Sequence, residues 1–500
     1  MRQITKRELI RLGCLAGVEA LLPACSKQEL PVQHAQVSPR PETTSNHGVA
    51  ASSSPETART KPFTPSPENV TLIGPDSARY VQLKNGFNKR VSHRPAVIAV
   101  CHNTNGVAQS IQLARERRLA VAIKSGGHSF EGFSGNDGGL VVNLSTMNSI
   151  DWLDNGRIRV GPGCKLSQLY DHLLPRKRIV PAGSCAGVGI GGLASGGGYG
   201  FFGRQLGLTC DSLKELTLVD GNGNVHRSTT EPELLWACRG GANGGLGVIT
   251  EMVFQTHPAP VAFRSYRFKT SWLDGARAAA LLESWCDICG NLPLSCFSAW
   301  VLNGKSLVIL ITDTEEPSKQ LRTALRRLAE FATQTGLGKP MQLDRALKIY
   351  YGRQKPLYFK NCSAGMYTGY SEIRNWAPHA LEIVTHRPGL MFQVNTVGGN
   401  IADTEFEKGS CFPHRNRPFL SELQAYWDSP SAEPDRMRSV HDIQNIFQNA
   451  GISAHYSNYP ALEINNWERA YYGENYPKLQ LVKRRLDPDN LFRFAQSIRL

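Results

Sequence analysis

Between Pro181 and Gly200 the chain places nine glycines in twenty residues, in the order Pro-Ala-Gly-Ser-Cys-Ala-Gly-Val-Gly-Ile-Gly-Gly-Leu-Ala-Ser-Gly-Gly-Gly-Tyr-Gly. Glycine has no Cβ, so such a run lets the backbone approach a ligand closely and present successive N–H groups to phosphate oxygens. Gly187, Gly189 and Gly192 formally satisfy G-x-G-x-x-G, and Asp211 stands at about the distance of a ribose-binding acid. A Rossmann turn, however, needs a strand before it and a helix opening on its last glycine. This run follows prolines and continues into another glycine triplet, so the reading it supports is a backbone trough along an extended dinucleotide.

Two further segments share the pattern. Pro95–Val100 is an apolar run of strand length, and Val107, Ile111 and Ala114 at helical spacing predict an amphipathic helix after it. Leu119–Lys124 then reads as a buried strand, broken at once by Ser125-Gly126-Gly127-His128-Ser129. The β-α-β start suits a nucleotide-binding fold. The third segment, Trp236 to Thr250, carries Arg239-Gly240-Gly241 and Gly244-Gly245-Leu246-Gly247 and ends in a strand.

Together these motifs resemble the berberine bridge enzyme-like oxidases. The resemblance rests on Ser125-Gly126-Gly127-His128, Gly183-x-Cys185-x-x-Val188-Gly189, Ser195-Gly-Gly-Gly-Tyr199-Gly200 and Arg239-Gly-Gly…Gly247-Val248-Ile249-Thr250. It extends through Phe412-Pro413-His414-Arg415, Tyr456-x-Asn458-Tyr459, Tyr471-Tyr472-Gly473 and Asp487-Pro488-Asp489-Asn490 to Gln496-Ser497-Ile498, thus from about residue 78 to the end. It implies an α+β architecture: a two-part PCMH-type FAD-binding domain, of the vanillyl-alcohol-oxidase type, with a substrate domain whose antiparallel sheet is backed by helices. The expected divisions are an FAD-binding domain over 68–261, a substrate domain over 262–454, and a segment over 455–500 that returns to the first. Strand patterns at Leu307–Ile311 and Met391–Val394 and helix patterns at Ala276–Trp285 and Leu321–Thr333 fit the middle part.

What the resemblance implies for the site can be given residue by residue. FAD is the expected cofactor, bonded covalently at two points by the His128 imidazole and the Cys185 sulfur. Ser125, Gly126, Gly127, Ser129, Gly183, Val188, Gly189, Gly192, Ser195, Gly198, Gly247, Val248, Ile249 and Asn458 are the remaining expected cofactor contacts, and no metal is expected. An imidazole nitrogen and a thiolate are nucleophiles able to add to an electron-poor ring system. Oxidation of a hydroxyl also needs a base near the flavin. Glu422 is the first candidate, with Tyr459, Tyr456 and Tyr199 as active-site phenols. A phenol with its usual pKa near 10 is a weak base without help from its neighbours. Leu193 and Ala461 depart from the family's common histidine and aspartate, and Val188 leaves room for oxygen beside the ring.

The expected activity is oxidation of a hydroxyl group, with the anomeric carbon of a mono- or oligosaccharide as the leading substrate and O2 as the electron acceptor. A dehydrogenase or a secondary-metabolite tailoring oxidase is the alternative within enzymes, and an exported ligand-binding lipoprotein is the alternative outside them. The net charge of +14 comes from scattered residues without a zinc-finger or helix-turn-helix pattern, so a nucleic-acid partner is not expected. Lys6 and Arg7 precede an apolar stretch from Leu9 to Leu22, which reads as an export signal over residues 1–25. It has twin-arginine character, and Leu22-Pro23-Ala24-Cys25 makes Cys25 a candidate for lipidation, placing the protein in the periplasm, outside the cell or on a membrane anchor. Residues 26–67, rich in Pro, Ser, Thr and Ala, read as a disordered linker. Cys286-x-x-Cys289 stands without a second pair at metal spacing and is expected to be buried thiols or a local disulfide.

Overall fold

The computed structural model describes residues 63–500. The expected export signal with Cys25, and the linker up to residue 62, lie outside them. Three large sheets, and a two-stranded one that pairs Arg178–Ile179 with His257–Pro258, organise the described chain. The first has four strands in the order Val70–Ile73, Val97–Cys101, Leu140–Asn143, Val121–Lys124, antiparallel at the first pair and parallel at the other two. Its central strands are buried along their whole length, as parallel strands covered on both faces must be. The helix Thr104–Glu116 crosses between the parallel strands and buries Val107, Ile111 and Ala114. The side chain of Asn103 caps it by accepting from the Gly106 N–H.

A second sheet of five antiparallel strands follows in the order Ile150–Trp152, Arg157–Val160, Val248–Gln255, Leu213–Val219, Val225–Arg227. The third has seven strands, all antiparallel, in the order Gln334–Leu337, Arg264–Ser271, Ser306–Asp313, Cys296–Asn303, Leu390–Thr396, Phe419–Trp427, Tyr358–Tyr367. Helices Gly275–Cys289, Ala377–His386 and Glu433–Asn449 cover one of its faces. Side chains alternate along each strand. Phe419, Leu423, Ala425 and Trp427 therefore join the helix-side core, while Leu420 joins the core shared with the glycine-rich segments. Glu422 and Gln424 belong to this second face.

The last residues run back to the first sheet. Val121 donates its N–H to the Leu491 carbonyl at 3.1 Å, and Ile498 donates to Gly244 at 2.9 Å. Two details differ from the sequence patterns. The glycine run is not extended throughout: a six-residue helix, Ile190–Ser195, opens after Gly189, because one turn buries Ile190 and Ala194 together and leaves Gly192 in open space. The helix at Lys319 stops at Phe331, and the chain then forms the edge strand Gln334–Leu337. Among the described residues none of the ten cysteines forms a disulfide, Cys286 and Cys289 included.

Asp211, at the position of a Rossmann ribose acid, does other work. It forms a buried ion pair with Arg415, at 2.6 and 3.1 Å, and accepts from the Leu208 N–H at 2.8 Å. Removing one partner of such a pair strands a charge in the interior. Asp211→Ala is expected to lower stability by about 3–5 kcal/mol in chemical denaturation, without any selective loss of nucleotide binding in the protein that remains folded.

Candidate active site

The loops that carry His128 and Cys185 cross at two glycines. A Cβ on Gly126 would stand 2.3 Å from the Gly189 nitrogen, and one on Gly189 would stand 2.1 Å from Ser125 Oγ, so neither position admits a side chain. The crossing sets Gly187 against His128, where an added Cβ would lie 2.9 Å from Nε2. Phe87 stacks on the imidazole, with ring centroids 4.2 Å apart and 15° between planes. Burial holds the His128 pKa down to about 4, with Lys165 adding to the effect, so the ring is neutral at physiological pH.

From this crossing runs a cleft of about 290 Å³. Of the residues expected to contact the cofactor, Ser125, Gly126, Gly127, His128, Ser129, Gly183, Cys185, Val188, Gly189, Gly192, Ser195, Gly247, Ile249 and Asn458 all line it. Two do not. Val248 points away from the cleft, into the core around Val107 and Val142, because its neighbours Gly247 and Ile249 take the other side of the strand. Gly198 also stands off the lining; its N–H donates to Tyr456 Oη at 2.9 Å. Asn458 ties the floor together, donating to the Leu193 carbonyl at 3.0 Å and to Tyr456 Oη at 2.8 Å, and accepting from Asn243. Tyr456 lines the cleft with its ring, while its oxygen accepts both of these N–H bonds.

Tyr199 and Tyr459 also line the cleft, and their hydroxyl oxygens are 2.6 Å apart. Behind them lies a chain of buried amides on adjacent strands. Asn395 donates to Tyr199 Oη at 3.1 Å, Gln393 to Asn395 Oδ1 at 2.8 Å, and Gln424 both to Gln393 Oε1 at 3.3 Å and to Glu422 Oε2 at 2.9 Å. Strand register sets this up, pairing Gln393 with Glu422 and Asn361 with Gln424. Glu422 is fully buried and does not line the cleft; the two phenols stand on the lining and it does not. Burial raises its pKa to about 8, against the smaller opposing effect of Gln424, Asn361 and Tyr459 beside it. The same burial, reinforced by Glu422, pushes the phenols of Tyr199 and Tyr459 well above their usual range.

The amides Asn361, Gln393, Asn395 and Gln424 are absent from the expectations drawn from the sequence. Their signal was available: Gln393-x-Asn395 and Glu422-x-Gln424 put polar residues at period two in otherwise apolar strands, so that one face of the sheet is polar and buried. Three acceptors on this face, Glu422 Oε1, Gln424 Oε1 and Asn361 Oδ1, have no hydrogen-bond donor among the described residues. Buried acceptors are rarely left so.

Residues 95–229 match the FAD binding domain family, and residues 455–499 match the berberine and berberine-like family. Glucooligosaccharide oxidase of Sarocladium strictum is 36% identical over 450 residues, covering 82% of this chain and 89% of its own. Chitooligosaccharide oxidase of Gibberella zeae is 29% identical over 442 residues, covering 83% and 89%. Among solved structures, the BBE-like 1 protein of Physcomitrella patens shares the fold, with a TM-score of 0.79, 23% identity and coverage of 86% and 97%. Fold and cleft thus define an FAD-linked oxidoreductase acting on CH–OH groups. The chain belongs to the berberine bridge enzyme-like family of FAD-linked oxidases. A binding protein without turnover is therefore set aside.

The carboxyl of Glu422 has a stability consequence with a definite sign. Its folded pKa of about 8 lies above the unfolded value near 4.3, so between these the native state holds more protons than the unfolded state. Stability falls as pH rises through that window. Glu422→Gln, which cannot ionise, is expected to raise Tm relative to the wild type by roughly 1–3 °C at pH 8 and to have little effect at pH 4, as measured by calorimetry.

Proposed function

We propose that this enzyme oxidises the anomeric hydroxyl of a mono- or oligosaccharide to a lactone, on FAD held covalently by His128 and Cys185. The observation that carries the sugar reading is the pair of phenols on the lining of the cleft, Tyr199 and Tyr459, backed by the buried polar face of Asn395, Gln393 and Gln424. A polyhydroxylated ring brings several O–H donors at once, which an apolar substrate does not. Two relatives whose names specify glucose- and chitin-derived oligosaccharides support the same class. The glycine-lined cleft and the neutral imidazole of His128 suit a dinucleotide and its covalent attachment. A flavin bound along the glycine-lined cleft would supply the hydride acceptor, with O2 as the final oxidant and the modest side chain of Val188 leaving room for it.

The protein's own groups handle the proton. Tyr199 and Tyr459 keep their protons at neutral pH, so in this reading they pass a proton along rather than hold it. Glu422 is the group of this cluster that changes charge near neutral pH, and it receives the substrate's hydroxyl proton through Tyr459. Tyr456 holds the glycine triplet and Asn458 in register. Delivery outside the cytoplasm, with Cys25 as a lipid anchor, completes the proposal on the strength of the N-terminal sequence.

Two measurements test it. Acid-precipitated enzyme is expected to keep its yellow colour, and intact mass is expected to exceed the polypeptide by one FAD; His128→Ala and Cys185→Ala each retain the adduct, and the double variant releases it. Peroxide formation should accompany turnover of cellobiose or N,N′-diacetylchitobiose, with kcat/KM rising through a limb near pH 8. Glu422→Gln should abolish that limb and lower kcat by about 10²–10³. A free flavin in the supernatant, or a pH profile unchanged in the variant, would contradict the assignment.

A further inference from the structure

We propose that Lys360 and Glu131 form a positioning pair, which fixes the ring of Tyr459 against the His128 loop and so governs the rate of turnover. This rests on the reading of Tyr459 as a proton carrier. Lys360, on the strand Tyr358–Tyr367, contacts Glu131 and donates to Glu463 Oε2 at 2.8 Å. Arg90 completes the cluster, donating to Glu131 Oε2 at 2.6 Å and to the carbonyls of Phe130 and Phe359, both at 3.3 Å. The side chains of Lys360 and Glu131 are each 1% exposed. Two positive and two negative charges, drawn from four separate parts of the chain, thus neutralise one another around the buried Lys360 and Glu131.

Each of these charged residues neighbours a working part of the site. Phe130, next to Glu131 and two residues past His128, stacks on Tyr459 with centroids 5.3 Å apart and 14° between planes. Phe359, next to Lys360, meets Phe130 edge-on at 5.6 Å. Asn361, on the other side of Lys360, stands beside Glu422. Glu463 follows Tyr459 by four residues. The segments that carry His128, Asn361 and Tyr459 are therefore joined at a single buried point.

Stability alone is a poor reason for such a cluster. Desolvating the ions offsets much of their attraction, and replacing a buried ion pair by neutral groups of similar size is often neutral or stabilising. Unlike an apolar contact, though, a four-charge cluster tolerates one arrangement of its members. A displacement of the Tyr459 ring by about 1 Å would open the 2.6 Å contact with Tyr199 on which proton passage depends.

The test uses full-length, FAD-loaded enzyme, with rates expressed per bound flavin. Lys360→Met and Glu131→Gln singly strand a charge and are expected to lower Tm. The double variant K360M/E131Q removes one charge of each sign and should return to within about 3 °C of the wild-type Tm. Its kcat with cellobiose or N,N′-diacetylchitobiose should remain at least tenfold low with KM within twofold, and hydrogen exchange over residues 456–463 should be at least fivefold faster. A double variant with wild-type Tm, kcat and exchange protection overturns the proposal. Should the double variant fail to fold, Glu131→Asp keeps the charge and withdraws it by one methylene; a fivefold fall in kcat supports the positioning role, and a wild-type kcat overturns it. Tyr459→Phe separates the two readings. Full activity in that variant removes the proton-carrier assignment itself, whereas loss there beside unaffected pair variants removes only the role of Lys360 and Glu131.

Discussion

The contact on which the site depends is backbone against backbone, at Gly126 and Gly189. Two loops from different parts of the sequence touch where any side chain would collide, and the touch brings Gly187 against His128 and places Cys185 in the same cleft. Nothing larger than hydrogen fits, so the approach is set by covalent geometry rather than by adjustable packing. Phe87 stacks on the imidazole, and its own N–H is held by the Gly127 carbonyl at 2.9 Å. Beneath, the buried Lys124 ammonium donates to the carbonyls of Leu83 and Asn85, so the segment leading to Phe87 is anchored to the strand that precedes the loop.

Across the cleft, the seven-stranded sheet contributes chemistry by its alternation. One face is apolar and sealed by helices, and the other carries amides and one carboxyl in a chain that ends on two phenols. Because this face is buried, every proton in it is shifted in the direction burial dictates: the phenols are held protonated, and the carboxyl is raised to about 8. The division of labour between tyrosine and glutamate follows from that single electrostatic fact.

Buried charges elsewhere serve the join between these two halves. Asp211 with Arg415, and Lys360 with Glu131 and Glu463, each connect residues far apart in the chain. Asp211 also shows how a spacing can mislead. Its distance from the glycines matches a ribose acid, but the helix that opens at Ile190 is one turn long and the chain then folds Asp211 onto a guanidinium. The formal motif is present with only a two-residue strand before it and a six-residue helix after Gly189, not the βαβ unit that would give it meaning.

Local chemistry made much of this legible from the residues alone. Apolar runs and helical spacing need no knowledge of distant neighbours, so the strands at Val97 and Val121 and the helix between them could be placed on the chain before the fold was known; the residues expected near the cofactor came from the family resemblance, and fourteen of the sixteen line the cleft. The amide chain could not: Gln393 and Asn395 stand 27 or more residues from Glu422 and Gln424, and only strand register makes them neighbours. Val248 depends on which face of a strand meets the cleft, and the cluster of Arg90, Glu131, Lys360 and Glu463 depends on four segments meeting at one point. What a residue can do is inscribed in its own covalent structure; which partners it does it with is decided by long-range pairing and burial, and these exist only once the whole chain has folded.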